Sequence, residues 1–365
     1  MNEIKNIKKD DYVRAFSFPD LGYLFVSSAI NHYKMRGFLA INQNGMLDQY
    51  LNKAHVEKTL RMGEVLFSND DRFKIFENDF RECIAEARDF ISNAKVKNDV
   101  SLADFYDLKA ILEKIYRYFE KTEFFFTDKC YESEMTDILK KNLLTLGDDL
   151  KVEARPLMVE LLTTIPYRYT EIVAKKNNLN PEDMKQYSLD EVMELLESGI
   201  KIESEIIKER KKSFVVYSDI NMIIQIEGDE KQQTLEEFKR DGVENITEFK
   251  GTIASKGKVT AKVRVIPAEL DKDYELFVKK ILKMDFDEGD ILVTETTSPD
   301  YMPLLRKAGG VIADQGGMNS HAAITSREFK IPCLVATHNA IEILKTGDLV
   351  ELDANNGTVR IIKRN

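Results

Sequence analysis

The chain has 365 residues, 43% of them hydrophobic, and a formal charge of −10. That is enough apolar material for two or more globular cores, and the sign is wrong for a general nucleic-acid binder, whose phosphate contacts need basic surface. Cys83, Cys130 and Cys333 are odd in number and form no Cys-x-x-Cys pair, which indicates neither a disulfide framework nor a zinc site and fits a reduced, cytoplasmic setting. Met1-Asn2-Glu3-Ile4-Lys5 lacks the apolar core of a signal peptide, and no apolar run approaches the roughly 20 residues needed to span a bilayer, so no membrane association is expected.

In chain order, residues from about Leu21 to Lys239 read as mostly helical. Leu21, Leu24, Phe25, Ala29 and His32 share one face, and Phe73, Phe76, Phe80, Cys83, Ile84 and Ala87 share another, at spacings of three and four. Ser101-Leu102-Ala103-Asp104, Asn180-Pro181-Glu182-Asp183 and Ser188-Leu189-Asp190-Glu191 carry helix-start signals. Tyr116, Tyr118, Phe119, Phe124, Phe125, Phe126 and Tyr131 are expected in the helical core. Arg155, Arg168 and Lys175 could hold an anion, but a chain that is 32% charged scatters such sets by chance, and they are assigned no substrate. The exception to helix is Ser213 to Glu227, where Phe214-Val215-Val216-Tyr217 and Met222 to Ile226 flank Ser218 to Asn221 like a small hairpin.

The polar stretch Asp241 to Phe249 is expected as a hinge, dividing a mainly α-helical N-terminal domain (1–240, hairpin near 213–227) from a C-terminal α/β domain (250–365). Downstream, Val259 to Ile266, Ile291 to Thr294, Gly310 to Ala313 and Cys333 to Ala336 read as strands, with Asn355-Asn356-Gly357 turning Leu349–Leu352 into Thr358–Ile362. Asp314 to Asn319 is then a strand-to-helix loop, a common place for a site.

That loop leads into Gly316-Gly317-Met318-Asn319-Ser320-His321-Ala322-Ala323-Ile324. Gly316 and Gly317 allow backbone to approach an anion closely. Asn319 is a good N-cap, making Ser320 the first and His321 the second residue of a helix that must stop near Lys330, ahead of Ile331-Pro332. The unpaired N–H groups and positive dipole of a helix start favour an anion and disfavour a protonated imidazole, keeping His321 neutral and nucleophilic. His321 therefore reads as a phosphate acceptor. His32 and His55, in helical segments, and His338, in a loop, have no such context and are expected in packing or surface roles.

Gly251 to Ile362 resembles the mobile, swivelling phosphohistidine domain of the phosphoenolpyruvate synthase and pyruvate phosphate dikinase superfamily. The likeness lies in Gly316 to Arg327, Gly251-x-x-Ala254-Ser255-x-Gly257, Val263-Arg264-Val265, Gly289 to Thr294, Thr297-x-Pro299-Asp300, and Gly347-Asp348 with Asp353 and Gly357. Departures are Lys256 for the usual proline, Ala261 for glycine, Thr325-Ser326 for an aliphatic-alanine pair, and Lys330 for glycine. The resemblance implies a phosphotransferase component in which His321 is the phosphorylated residue. Gly316, Gly317, Asn319, Ser320, Thr297 and Arg327 would support the phosphate.

The chain shows no Gly-x-x-x-x-Gly-Lys-Ser/Thr loop, no Gly-x-Gly-x-x-Gly and nothing like the ATP-grasp domain that supplies phosphate in that family. Its end at Asn365 leaves no room for a phosphoenolpyruvate-binding barrel. The order of a helical and then a histidine domain is similar to that of rifampin phosphotransferase and glutamine kinase without their ATP-grasp part. The resemblance thus implies ATP and Mg2+ held mainly by an ATP-grasp partner or missing domain, and a small-molecule phosphoryl acceptor near the helical domain. No metal ligands are assigned on this chain. Two alternatives stand beside this reading: a carrier that phosphorylates another protein, and a binding or regulatory protein without turnover. The chain could also be a piece of a longer enzyme.

Overall fold

Helix caps and apolar spacing set the N-terminal architecture. The computed structural model describes residues 7–19, 21–33, 37–43, 45–124, 136–219, 222–239, 246–266, 279, 281, 283–297, 301–316 and 320–365. These fall into two units, one up to Lys239 and one from Ile246 onward. In the first, α1 (Tyr23–Tyr33), α2 (Lys53–Phe67), α3 (Asp70–Val96) and α4 (Leu102–Phe124) pack with a long helical run from Asp137 to Lys176. Asn69 caps α3 by accepting the Arg72 N–H, and one face of that helix buries Phe73, Phe76, Phe80, Cys83, Ile84 and Ala87, as their spacing predicts. Ser101 donates from both its N–H and its hydroxyl to the Asp104 carboxylate at the start of α4. Asn180 caps Pro181–Met184, and Ser188 with Glu191 forms a reciprocal capping box on Leu189–Ser198. Tyr116 and Phe119 are buried core, whereas Phe125, Phe126, Cys130 and Tyr131 lie outside the described residues.

The small hairpin is real but is only the edge of something larger. Tyr12–Pro19 (β1), Phe38–Gln43 (β2), Met46–Asn52 (β3), Ser213–Ser218 (β4) and Ile223–Ile226 (β5) form an antiparallel sheet in the order β1-β3-β2-β4-β5. The unit is mainly helical as expected, but the stretch from Leu21 onward that reads as helix also contributes the strands β2 and β3. Phe38, Leu39, Ala40 and Ile41 are all buried, so β2 lacks the apolar-polar alternation that marks a half-exposed strand. One face carries Leu39, Ile41, Tyr50 and Val215 against Leu235 and Phe238. Asn44-Gly45, a strong two-residue hairpin signal, separates the paired Gln43 and Met46, and Gly45 has φ +76°.

The second unit is an eight-stranded sheet. Its strands are Glu248–Lys250 (β6), Thr252–Ser255 (β7), Lys258–Ile266 (β8), Ile291–Thr294 (β9), Gly310–Ala313 (β10), Cys333–Val335 (β11), Leu349–Asp353 (β12) and Thr358–Lys363 (β13), in the order β6-β13-β12-β8-β9-β10-β11-β7. Strands β8 to β11 run parallel. Both faces are covered: Leu292, Val311, Cys333 and Val335 pack beneath the helix His321–Phe329, while Val263, Val293, Ile312 and Leu334 pack against Val350, Leu352 and Val359. This double burial explains the uninterrupted apolar runs at β9 and β10. Of the expected connector, 241–245 lies outside the described residues, and Glu248 and Phe249 pair with β13 through Arg360 and Val359.

Candidate phosphohistidine site

β10 delivers the chain to the end of the parallel strands, and the next helix folds back over the sheet from His321 to Phe329. Between them Gly316 adopts φ +97°, a conformation that side chains resist. A Cβ there would stand 2.7 Å from Ser320 Cβ and 2.9 Å from its hydroxyl oxygen, so this glycine lets the loop close tightly on the helix start. Gly317 and Asn319 lie outside the described residues, as do Pro299 and Asp300.

The cap is Ser320 rather than Asn319. Ser320 is extended, with ψ 158°, and its hydroxyl accepts the Ala323 N–H at 3.3 Å, the reach of an N-cap side chain to the third helical residue. His321 is thus the first helical residue, not the second, and its side chain is partly exposed. Its ring sits where the helix dipole is most positive. At the far end the N–H groups of Lys330 and Ile331 close onto the carbonyls of Arg327 and Ser326, a Schellman stop with Lys330 at φ 55° and ψ 37°.

Thr297 is brought to the histidine from 24 residues away: its Oγ1 lies 2.9 Å from His321 Nδ1, and the threonine is buried. This proximity comes from the parallel ladder continuing past the strands. The Asp314 N–H donates to the Thr294 carbonyl at 3.0 Å, and the Gln315 N–H donates to the Glu295 carbonyl at 2.8 Å. Gln315 Nε2 also donates to Glu295 Oε1 at 3.0 Å. When Nδ1 carries the ring proton and donates it to Thr297, the lone pair is on Nε2.

Arg327 follows His321 on the same helix. Six residues on, about 9 Å along the axis, it donates from Nη1 to the Ala254 carbonyl at 3.1 Å and ties the helix to β7. Cys333 lies under the helix with Sγ 4.0 Å from the Ala322 carbonyl oxygen. Burial pushes its thiol up to about 12, so it offers no thiolate to compete with the imidazole near neutral pH. Asp314 and Glu295, both buried, were not anticipated as site residues. The available signal was an acid set directly after a fully apolar buried strand, as Glu295 follows β9 by one residue and Asp314 follows β10.

Among the described residues no group of three or more His, Cys, Asp or Glu side chains is arranged to hold a metal ion, and no helix is long and apolar enough to cross a membrane. His55 lies in α2, and His338 lies in the loop after β11.

Residues 286–357 match the family described as PEP-utilising enzyme, mobile domain. The probable phosphoenolpyruvate synthase of Methanothermobacter thermautotrophicus is 44% identical over 112 residues, which are 30% of this chain and 14% of that protein. The phosphoenolpyruvate synthase of Pyrococcus furiosus is 34% identical over 200 residues, 53% of this chain and 23% of that one. The chain thus spans less than a quarter of the length of either relative. A solution structure of Enzyme I covers 80% of each chain at 12% identity with a TM-score of 0.21, a likeness too slight to bear on function. The second unit therefore carries the mobile domain of the PEP-utilising enzyme superfamily.

Proposed function

We propose that this chain is a phosphotransferase component in which His321 takes a phosphoryl group from a nucleotide and passes it to a small-molecule acceptor. The observation that carries the reading is the 2.9 Å contact of Thr297 Oγ1 with His321 Nδ1 at a helix N-terminus entered through Gly316. With Nδ1 engaged, Nε2 is the attacking nitrogen. Its lone pair forms the N–P bond while the P–O bond to the nucleotide breaks and leaves its electron pair on the departing oxygen. In the second transfer the acceptor attacks phosphorus, the N–P pair returns to Nε2, and the acceptor's proton is lost to solvent. The helix N-terminus and the Ser320 cap place positive potential where the phosphoryl oxygens gather.

The nucleotide and Mg2+ belong, in this reading, to an ATP-grasp protein or domain that is not among these residues, and the metal would neutralise phosphate charge there. No residue of this chain is assigned to the metal. The first unit would hold the acceptor or recruit the partner, and the polar stretch ahead of β6 would let one histidine visit two places. Buried, reduced Cys83 and Cys333 suit a cytoplasmic setting.

The test is to incubate the chain with radiolabelled ATP and Mg2+, with and without an ATP-grasp protein encoded beside it. Acid-labile label on the wild type and none on His321→Ala supports the reading, and discharge by small molecules supports the transferase form. Discharge only to a second protein would replace it with a carrier. No label from any donor would leave a binding protein.

A further inference from the structure

Building on His321 as the phosphoryl acceptor, we infer that Asp314 is a positioning residue that fixes the ring tautomer of His321 by locking the three loops at the end of the parallel strands. Asp314 is the first residue after β10, and it is buried. Its carboxylate accepts the Thr337 hydroxyl at 2.7 Å and the Ala340 N–H at 2.5 Å on Oδ1, and the Ile341 N–H at 3.2 Å on Oδ2. Its own N–H reaches the Thr294 carbonyl at 3.0 Å, and its carbonyl accepts the His338 N–H at 3.1 Å.

One residue therefore ties the end of β9, three residues before Thr297, and the loop after β11 to the loop that leads into His321. The third loop needs such a clamp, because Ala336 and His338 hold φ of 52° and 66° on either side of Thr337, conformations that revert unless the surroundings over-determine them. The two backbone donors address different oxygens of the carboxylate, so an isosteric amide must turn an NH2 toward one of them. That opposition shifts the β10 loop against the β9 loop and loosens the hydrogen bond between Thr297 and His321, whose geometry sets which ring nitrogen bears the proton.

The experiment uses the full chain with 15N-labelled histidine. Only four histidines are present, so His321→Gln assigns the relevant ring signals. Nitrogen chemical shifts report the tautomer, and phosphoramidate serves as a small donor that needs no nucleotide-binding partner. Wild type is expected in the Nδ1–H form and to be labelled on Nε2. Asp314→Asn should lower the Nδ1–H fraction and slow labelling by roughly tenfold or more, the scale for losing an outer partner that orients a histidine. Thr337→Val, which removes one partner of the carboxylate and leaves the charge in place, should shift both in the same direction by less, and it decides the matter if Asp314→Asn does not fold.

Thr297→Ala should abolish the sensitivity, so that adding Asp314→Asn to it changes neither readout further. Wild-type tautomer and rate in both Asp314→Asn and Thr337→Val overturn the inference, as does a full additional loss on the Thr297→Ala background. Should His321 accept no phosphoryl group at all, the transfer reading fails, while the tautomer measurement still decides the role of Asp314.

Discussion

Lys330 occupies the left-handed stop of the helix that begins with His321, and glycine at this position should make the second unit more stable than alanine does. The backbone there has φ 55° and ψ 37°, with the Lys330 and Ile331 N–H groups closing the turn. A left-handed L-residue costs about 1–2 kcal/mol. Glycine removes that strain but gives back about 0.5–1 kcal/mol through the extra freedom of the unfolded chain. The difference is a net gain of about 0.5–1 kcal/mol over alanine at the same position, or about 2–4 °C in the melting temperature of a unit this size. Lysine also carries a favourable charge at a helix C-terminus, worth about 0.3–1 kcal/mol, so alanine is the proper reference. Differential scanning calorimetry on Lys330→Gly and Lys330→Ala separates the two effects, with the helix amides followed by hydrogen exchange to assign the transition. A glycine variant no more stable than the alanine variant would refute the strain argument. The usual glycine at this family position would then need another explanation.

Gly316→Ala should destabilise the second unit by about 1–3 kcal/mol, because the new Cβ meets Ser320 at 2.7 Å in a left-handed turn, and it should slow labelling of His321; urea titration and phosphoramidate labelling check the pair of effects. In the first unit, buried Arg210 lies over the Tyr23 ring and forms a bidentate pair with Glu191, a partly exposed carboxylate that keeps the Ser188 N–H when the arginine is removed, so Arg210→Met should cost about 1–3 kcal/mol, read as a lower denaturation midpoint. Asp348 gives a pH prediction. Burial alone would raise its carboxyl, but the N–H groups of Asn365 and Lys345 and the Arg364 guanidinium carry it below its ordinary value. Its folded-state value is depressed, so its stabilisation is fully present above the ordinary aspartate range and is lost as pH falls through the lower folded value. Arg364→Ala should therefore lower the stability of the second unit near neutral pH, with the difference from wild type shrinking as pH falls through the aspartate range, measured by urea titration at a series of pH values.

Several features were legible along the chain because they depend on neighbours a few residues apart. Asn180, Ser188 and the buried stripe of α3 follow from capping and helical period, and Ile291–Thr294 and Gly310–Ala313 appear as strands at their predicted places. His321 stood out because glycine, cap and helix start are contiguous. The cap itself came out one residue late, since Asn319 and Ser320 are both good caps and composition does not choose between them. Strands β2 and β3 fell inside a stretch read as helix, because β2 joins β4 across more than 150 residues of sequence and a fully buried strand loses the alternation that announces it.

The sequence by itself determined that a histidine opens a short helix after a glycine-bearing loop, because those preferences are written in local backbone sterics and cap chemistry. Only the tertiary structure decided what touches that ring. Thr297 reaches Nδ1 because parallel strands β9 and β10 end side by side, Arg327 ties the helix to the carbonyl of Ala254, and Asp314 meets Thr337, Ala340 and Ile341 from a different loop. Parallel pairing places residues together by the geometry of the sheet, whose strand order no spacing along the chain encodes.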